Sequence, residues 1–176
     1  GWFGDKYPRK NDSSSLGDWV VDKNKLPNGI EGLLSDAKKH GVKFGIWIEP
    51  EMANTTSELY EKHPDWVLKA SERDVVLGRG GTQVVLDLAN PAVQDFVFGV
   101  VDNLMTSYPE IDYIKWDANM SVQNHGSQYL TKDNQSHMYI EFHRGFEKIC
   151  QRIRAKYPDL TIQACASGGG RANYGV

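Results

Sequence analysis

IDYIKWD, at residues 111–117, is the stretch that decides the fold of this chain. Its first six residues are rich in β-branched and aromatic side chains, which predicts a strand over 111–116 that ends at the carboxylate of Asp117. Apolar residues at helical spacing precede it over 91–104 and follow it over 139–157. Because amphipathic helices on both sides of a strand are typical of parallel sheets with right-handed crossovers, we expect an α/β fold.

Further strands and helices are predicted around this stretch. The strands are expected at residues 42–48, 83–88 and 160–165, and the helices at residues 30–40 and, capped by Thr56 or Ser57, up to His63. Asn90 and Pro91 suit the N-cap and first position of the helix that contains residues 91–104. Polar residues follow each expected strand end, near Trp47, Leu88, Asp117 and Cys165. Since the carboxyl ends of parallel strands share one edge, we expect the function to lie there.

Two architectures fit this alternation of strands and helices. A complete (β/α)8 barrel takes about 250 residues, so 176 residues with about four βα units would form roughly half of a TIM barrel. An open sheet of four or five strands is the alternative. No internal repeat or linker divides the chain, so residues 1–176 are expected to form one partial domain. The start at Gly1 and the end soon after a glycine-rich run lead us to expect a fragment of a longer protein.

The composition excludes several classes of protein. With 40% hydrophobic and 24% charged residues, the chain is neither disordered nor collagen-like. The net charge of −3, without clustered Lys or Arg, argues against nucleic-acid or membrane partners. Cys150 and Cys165 fit neither a disulfide framework nor a zinc site. We expect a soluble protein, with the compartment left open and the cytoplasm favoured.

Asp117 is the first candidate for chemistry. Lys115 and Asn119 lie two residues before and after it, so strand periodicity puts the three side chains on one face. A nearby ammonium group would keep Asp117 ionised, as a nucleophile, base or metal ligand requires. A Lys115–Asp117 ion pair that only satisfies buried polarity is the alternative, and the spacing leaves both open.

Three other segments are candidates for ligand binding. Trp47 and Glu49 combine a flat ring with a carboxylate, as sugar sites do, but from position alone a packing role for Trp47 is favoured. Glu49 and Glu51 lack a neighbouring His pattern, so no metal site is expected. Arg79, between two glycines, is either a clamp for polar groups or a solvated side chain. The run Cys165–Arg171 lacks the signatures of nucleotide loops and fits a turn or a close backbone contact with a ligand.

Eight motifs together resemble the α-galactosidases of glycoside hydrolase family 36, in that family's order and over the whole chain. They are GWFG at 1–4, LGDW at 16–19, KLPNG at 25–29, FGIWIEPEM at 44–52, HPDW at 63–66, VLDL at 85–88, KWD at 115–117 and SGGGR at 167–171.

The resemblance implies a (β/α)8 catalytic barrel that hydrolyses terminal α-D-galactosyl residues with retention, without a metal or organic cofactor. Its KWD motif makes Asp117 the catalytic nucleophile. The substrate-binding residues that it implies are Trp47, Arg79, Lys115, Asn119, Cys165 and Gly168. The implied partner is an α-galactoside or galacto-oligosaccharide, and the full-length enzyme is a candidate homo-oligomer.

Two parts of the family pattern are missing. Retention requires a second carboxyl group about 5 to 5.5 Å from the first, and the family's acid lies in an SD(D/N)TD segment after the GGGR run. Asn173 cannot replace it, because an amide has no proton to donate at neutral pH. The family's Asp-Asp pair before GWFG is missing as well. We therefore expect this chain to be inactive alone. A raffinose-synthase-like transglycosidase, a non-catalytic carbohydrate-binding fragment and an open-sheet, metal-dependent hydrolase are the alternatives.

Overall fold

The computed structural model describes residues 1–123, 126–168 and 170. Its helices and strands follow the chain as α1 (Gly29–Lys39), β1 (Phe44–Ile48), β2 (Met52–Asn54), α2 (Glu58–Lys62), β3 (Gln83–Val85), α3 (Pro91–Ser107), β4 (Ile111–Trp116), α4 (Met138–Lys156) and β5 (Thr161–Ala164). Short 3-10 helices occupy Pro64–Trp66 and Lys132–His137. Each helix and strand of the sequence prediction has a counterpart here, with bounds that differ by a few residues.

The helix ends follow the capping chemistry expected from the sequence. The hydroxyl of Ser57 accepts a hydrogen bond of 3.1 Å from the amide of Tyr60 and caps α2. The Asn90 side chain accepts one of 3.0 Å from the amide of Ala92, and Pro91 opens α3 as predicted. Local residue chemistry therefore determines where α2 and α3 begin.

A parallel sheet in the order β1-β4-β5 forms the core of the fold. Trp47 of β1 is in register with Lys115 of β4, which is in register with Gln163 of β5. The predicted parallel pairing is confirmed for these three strands, and Asp117 and Cys165 lie just past their carboxyl ends.

The prediction for residues 83–88 is wrong in its pairing. β3 covers only Gln83–Val85 and runs antiparallel to β2 in a separate two-stranded sheet, so Leu88 does not end a strand of the parallel sheet. In the part of the chain that the structure describes, the parallel sheet has three strands, and β1 pairs directly with β4. The chain turns at Glu49–Glu51, which puts β2 beside β3. Residue pattern alone does not reveal this partner, because pairing is a non-local property.

The two faces of the parallel sheet differ in exposure. Ile48 and Trp116 are almost fully buried, and the Trp116 ring packs edge-on against Phe146 of α4 at 5.7 Å. On the opposite face, Trp47 and Lys115 are only half-buried. Helix α4 thus packs on one face of the sheet. The opposite face carries Trp47 and Lys115, which were predicted as site residues.

Buried Asp87 anchors the loop between β4 and α4. Its carboxylate accepts hydrogen bonds from the hydroxyl of Ser127 and from the amide of Ala89. The Ser127 hydroxyl in turn accepts from the amides of Tyr129 and Leu130, at 3.1 and 3.0 Å. Burial raises the pKa of Asp87 above its ordinary value. The loop that follows β4 is therefore held to the segment after β3.

A glycine permits close contact between α4 and that same segment. A Cβ atom at Gly145 would collide with the carbonyl oxygen of Leu88, whereas one at Gly99 of α3 would meet nothing within 4 Å. Only the first of these two helical positions requires glycine for packing.

Candidate active site

Asp117 is held between the ends of β1 and β4. Its backbone amide donates a hydrogen bond of 2.8 Å to the carbonyl of Ile48, and the residue is only 8% exposed. The indole nitrogen of Trp47 donates to Oδ2 of Asp117 at 3.1 Å. The two residues are 70 positions apart in the chain, and the parallel pairing of their strands brings them together.

Hydrogen-bond donors surround the Asp117 carboxylate. Burial alone raises its pKa, but the side chains of Asn119, Trp47 and Cys165 and the amide of Ala118 donate to it. Together these donors outweigh burial and hold the pKa of Asp117 below its ordinary value. The carboxylate is ionised at neutral pH, which is the state that a nucleophile requires.

Trp47 has the packing role that the sequence left open, and its indole nitrogen also contacts Asp117. Its ring stacks on Phe3 with centroids 6.2 Å apart and an angle of 6° between the planes. Its carbonyl accepts a hydrogen bond of 2.8 Å from the indole of Trp2. The ring thus packs in an aromatic cluster while its polar edge contacts Asp117.

Asn119 links two carboxylates. Its backbone amide donates a hydrogen bond of 2.6 Å to Oε1 of Glu49, and its side chain is among the groups that lower the pKa of both Glu49 and Asp117. Its Oδ1 accepts from the hydroxyl of Ser167 at 3.2 Å, in the turn after β5. Residues that follow β1, β4 and β5 therefore meet at Asn119.

Lys115 lies beside Trp47 on the same face of the sheet. Among the described residues, no ion pair joins Lys115 to Asp117, so the alternative of a Lys115–Asp117 ion pair is wrong. The donors described above keep Asp117 ionised instead. Lys115 remains half-buried at the open face.

Cys165 and Gly168 belong to the turn after β5. The Cys165 thiol hydrogen-bonds with Asp117. Gly168 is exposed, has a φ of 103°, and accepts a hydrogen bond of 3.3 Å from the amide of Ala166. The described contacts do not join Gly168 to Asp117. Two residues of the glycine-rich run at 165–171, Gly169 and Arg171, lie outside the described residues, as does Asn173.

Arg79 stands apart from this cluster. It follows Gly78 in a turn before β3, has a φ of 48°, and pairs with Oδ2 of Asp12 at 3.4 Å. The other oxygen of Asp12 pairs at 3.0 Å with Arg9, whose side chain is 5% exposed. The structure therefore holds Arg79 at Asp12. The positive charge of Arg79 also lowers the pKa of Glu49.

The whole chain, residues 1–176, matches the melibiase family model. The chain belongs to the melibiase family. An α-galactosidase, AgaA of Geobacillus stearothermophilus, is 39% identical over 176 residues, which are all of this chain and 23% of AgaA. This chain therefore spans about a quarter of the length of the curated relative.

Parts of solved α-galactosidases share the fold of this chain. The enzyme from Lactobacillus brevis has a TM-score of 0.91 and 40% identity, and the match covers 99% of this chain and 23% of that one. A variant of AgaA in complex with raffinose has a TM-score of 0.91 and 38% identity, with 99% and 24% of the two chains covered. Both are described as α-galactosidases.

Sequence reasoning missed Asp12 and gave Glu49 a different role. Asp12, which holds Arg79, lies in a polar segment that carries no strand or helix pattern. Glu49 was considered as a ligand for a sugar or a metal, whereas the structure buries it against Asn119. The one sequence signal for Glu49 was its position two residues after Trp47, which puts the two side chains on the same face.

The described residues contain neither a metal cluster nor a helix that could span a membrane. Residues 1–123, 126–168 and 170 contain no group of three His, Cys, Asp or Glu side chains able to hold a metal ion. Across the same ranges, every helix is too short or too polar to cross a bilayer. A cavity of about 820 Å³ lies between Trp19, Phe96 and Asn103, and the described lining contains none of the seven predicted site residues.

Proposed function

We propose that this chain is part of a longer retaining α-galactosidase and carries its nucleophile, Asp117. The observation that carries the proposal is the ionised, donor-lined carboxylate of Asp117 at the carboxyl end of a parallel strand. Membership of the melibiase family and the names of the similar proteins support the substrate class.

We further propose that residues 1–176 form part of a (β/α)8 barrel. In such a barrel the helices lie outside the sheet, and the functional side chains gather at the carboxyl ends of the strands. The helix-covered face at Trp116 and the open face at Trp47 and Lys115 support this arrangement. The remaining strands would come from the rest of the longer protein.

In the proposed mechanism Asp117 attacks the anomeric carbon of a terminal α-D-galactosyl residue. The bond to the leaving oxygen breaks as a covalent β-galactosyl-enzyme ester forms, and water then cleaves this ester with net retention. A second carboxyl group, about 5 to 5.5 Å from Asp117, protonates the leaving oxygen and later activates the water. We place this acid/base in a segment of the longer protein outside this chain.

The other predicted site residues would bind the sugar. The Trp47 ring would stack against a face of galactose. Lys115 and Arg79 would donate to its hydroxyl groups, Asn119 would act beside the nucleophile, and Cys165 and Gly168 would shape the pocket wall. Raffinose and stachyose, both present in complexes of AgaA variants, are the first substrates to test.

The experiment uses the longer protein that carries this chain, with an aryl α-galactoside as substrate. Asp117→Gly should lower kcat by more than about a thousandfold, because no covalent intermediate can form. Added azide should restore turnover and give β-galactosyl azide, since it attacks from the face that Asp117 occupied.

The matched control is Asp112→Asn, which removes a carboxylate from the opposite end of β4. Asp112 pairs with exposed Lys43 at 3.4 Å, so its loss should leave kcat within about twofold. An Asp117→Gly variant with wild-type turnover would refute the proposal. Product analysis in the presence of sucrose distinguishes hydrolysis from galactosyl transfer.

A further inference from the structure

Glu49 is a buried carboxylate that the proposed reaction does not use. It follows β1 directly and is 2% exposed. Its Oε1 accepts a hydrogen bond of 2.6 Å from the amide of Asn119, 70 residues later in the chain. This bond links the segment after β1 to the residue two positions past Asp117.

The hydrogen bonds of Asn119 define the orientation of its side chain. The Oδ1 atom accepts from Ser167, and the carboxamide is among the groups that lower the pKa of both Glu49 and Asp117, as a donor to a carboxylate does. An ionised carboxylate is only an acceptor, so the Nδ2 group of Asn119 donates to Asp117. Two contacts thus hold this residue, since Glu49 binds its backbone amide and Ser167 binds its side-chain oxygen.

A carboxylate at this buried position is energetically unfavourable if the side chain serves only packing, because its charge loses solvation. Burial raises the pKa of Glu49, and the negative charge of Asp117 raises it further, whereas the hydrogen bond from the Asn119 amide and the positive charge of Arg79 lower it. An apolar side chain of the same length would avoid the desolvation of a charge. The carboxylate is therefore better explained by what it holds in place.

We infer that Glu49 is a positioning residue. By binding the backbone amide of Asn119, Glu49 fixes this residue so that its side-chain amide donates to the nucleophilic carboxylate of Asp117. This inference rests on the proposed function. Glu49 acts on the reaction only through Asn119. Its loss should slow formation of the galactosyl-enzyme and leave ground-state binding of the sugar almost unchanged.

The test measures kcat and KM of the longer protein with an aryl α-galactoside, per active site titrated with an activated fluoro-galactoside. Glu49→Ala should lower kcat about 10- to 100-fold, the range for one hydrogen bond to a charged group, with KM within about twofold. Glu49→Gln retains an acceptor for the Asn119 amide and should recover most of the lost rate. Glu49→Met fills the same space and replaces Glu49→Ala if that variant does not fold.

A double-mutant cycle separates positioning from a merely structural role. If Glu49 acts through Asn119, adding Glu49→Ala or Glu49→Met to Asn119→Ala should lower kcat by less than about twofold more. Glu51→Gln serves as the control for a buried carboxylate elsewhere, because Glu51 accepts from the Trp116 indole at 2.6 Å. Any effect of Glu51→Gln on kcat should multiply with that of Asn119→Ala.

Two results would overturn the inference: a kcat within about twofold of wild type after Glu49→Met, or effects of Glu49 and Asn119 that multiply. Asp117→Asn distinguishes this failure from that of the proposed function. If Asp117→Asn abolishes turnover while the cycle is multiplicative, only the role of Glu49 is wrong. If Asp117→Asn remains active, the proposed function itself fails.

Discussion

The indole nitrogen of Trp47 lies 3.1 Å from Oδ2 of Asp117 and donates a hydrogen bond to it. Trp47 is in register with Lys115, so the bond spans from β1 to the first residue past β4. It is one of the donors that keep the pKa of Asp117 low despite burial. A single aromatic side chain thus offers both a stacking surface and control of the charge of the carboxylate.

Replacing Trp47 by Phe keeps most of the ring and removes the donor. Because donors favour the charged form, the pKa of Asp117 should rise, and the acid limb of kcat/KM should move to higher pH. At neutral pH, loss of one hydrogen bond to a charged group should lower kcat/KM about tenfold. The measurement is a pH–rate profile of the longer protein with an aryl α-galactoside.

Trp66→Phe is the control for this profile. Trp66 stacks on His63 at 3.8 Å and contacts Phe96, away from Asp117. Its replacement should leave the acid limb in place. An unchanged acid limb in Trp47→Phe would show that the indole does not tune Asp117.

Asp12→Asn tests whether the ion pair with Arg79 prepares that side chain for a sugar. The variant keeps an acceptor for Arg9 but weakens the 3.4 Å pair with Arg79. Exposed ion pairs are weak, so KM should rise at most about fivefold and kcat should stay constant. Asp36→Asn, which breaks a similarly exposed pair with Lys39, should change neither constant. A fall in kcat at constant KM would contradict a binding role for Arg79.

Two glycine-to-alanine variants in helices should have opposite effects. Gly145→Ala sets a Cβ against the Leu88 carbonyl and should lower the free energy of unfolding of the chain by about 3 kcal/mol. Gly99→Ala meets no neighbour within 4 Å and should raise it by about 0.5 to 1 kcal/mol, because alanine favours a helix. Urea denaturation of both variants gives the comparison. Equal effects would mean that α4 does not pack on the segment after β3.

Buried Asp87 predicts a pH dependence of stability. Its pKa is raised in the folded state by burial, so its contribution to stability is complete below the pKa of the unfolded chain and is lost as the pH rises through the folded-state pKa. Asp87→Asn removes this titration. The free energy of unfolding of wild type minus that of the variant should therefore increase as the pH falls from 7 to about 4. A difference that is constant with pH, measured by urea denaturation, would contradict the raised pKa.

The sequence predicted those features that depend on neighbouring residues. Asn90 and Pro91 mark the start of α3 because capping is a contact between residues a few positions apart. The strand at residues 111–116 was predicted with its observed bounds for a similar reason, since its β-branched and aromatic residues are contiguous. The grouping of Trp47 with Asp117 followed once parallel pairing was assumed.

The pattern of residues did not predict contacts between residues that lie far apart in the chain. The antiparallel pairing of Gln83 with Asn54 depends on the turn after β1, and it removed residues 83–88 from the predicted parallel sheet. The contact of Glu49 with Asn119 joins residues 70 positions apart, and that of Asp12 with Arg79 joins residues 67 positions apart. For Lys115 the periodicity gave the correct face, but a shared face does not require an ion pair.

The turn that carries Arg79 precedes β3 of the two-stranded sheet, whereas Asp117 follows a strand of the parallel sheet. Glycines 80 and 81 in that turn have positive φ values and open space around them. Under the proposed function, longer or differently charged segments grafted there would alter substrate preference and leave the strand that precedes Asp117 in place. Sugar recognition at Arg79 and reactivity at Asp117 would then belong to separate sheets, which directed evolution can vary one at a time.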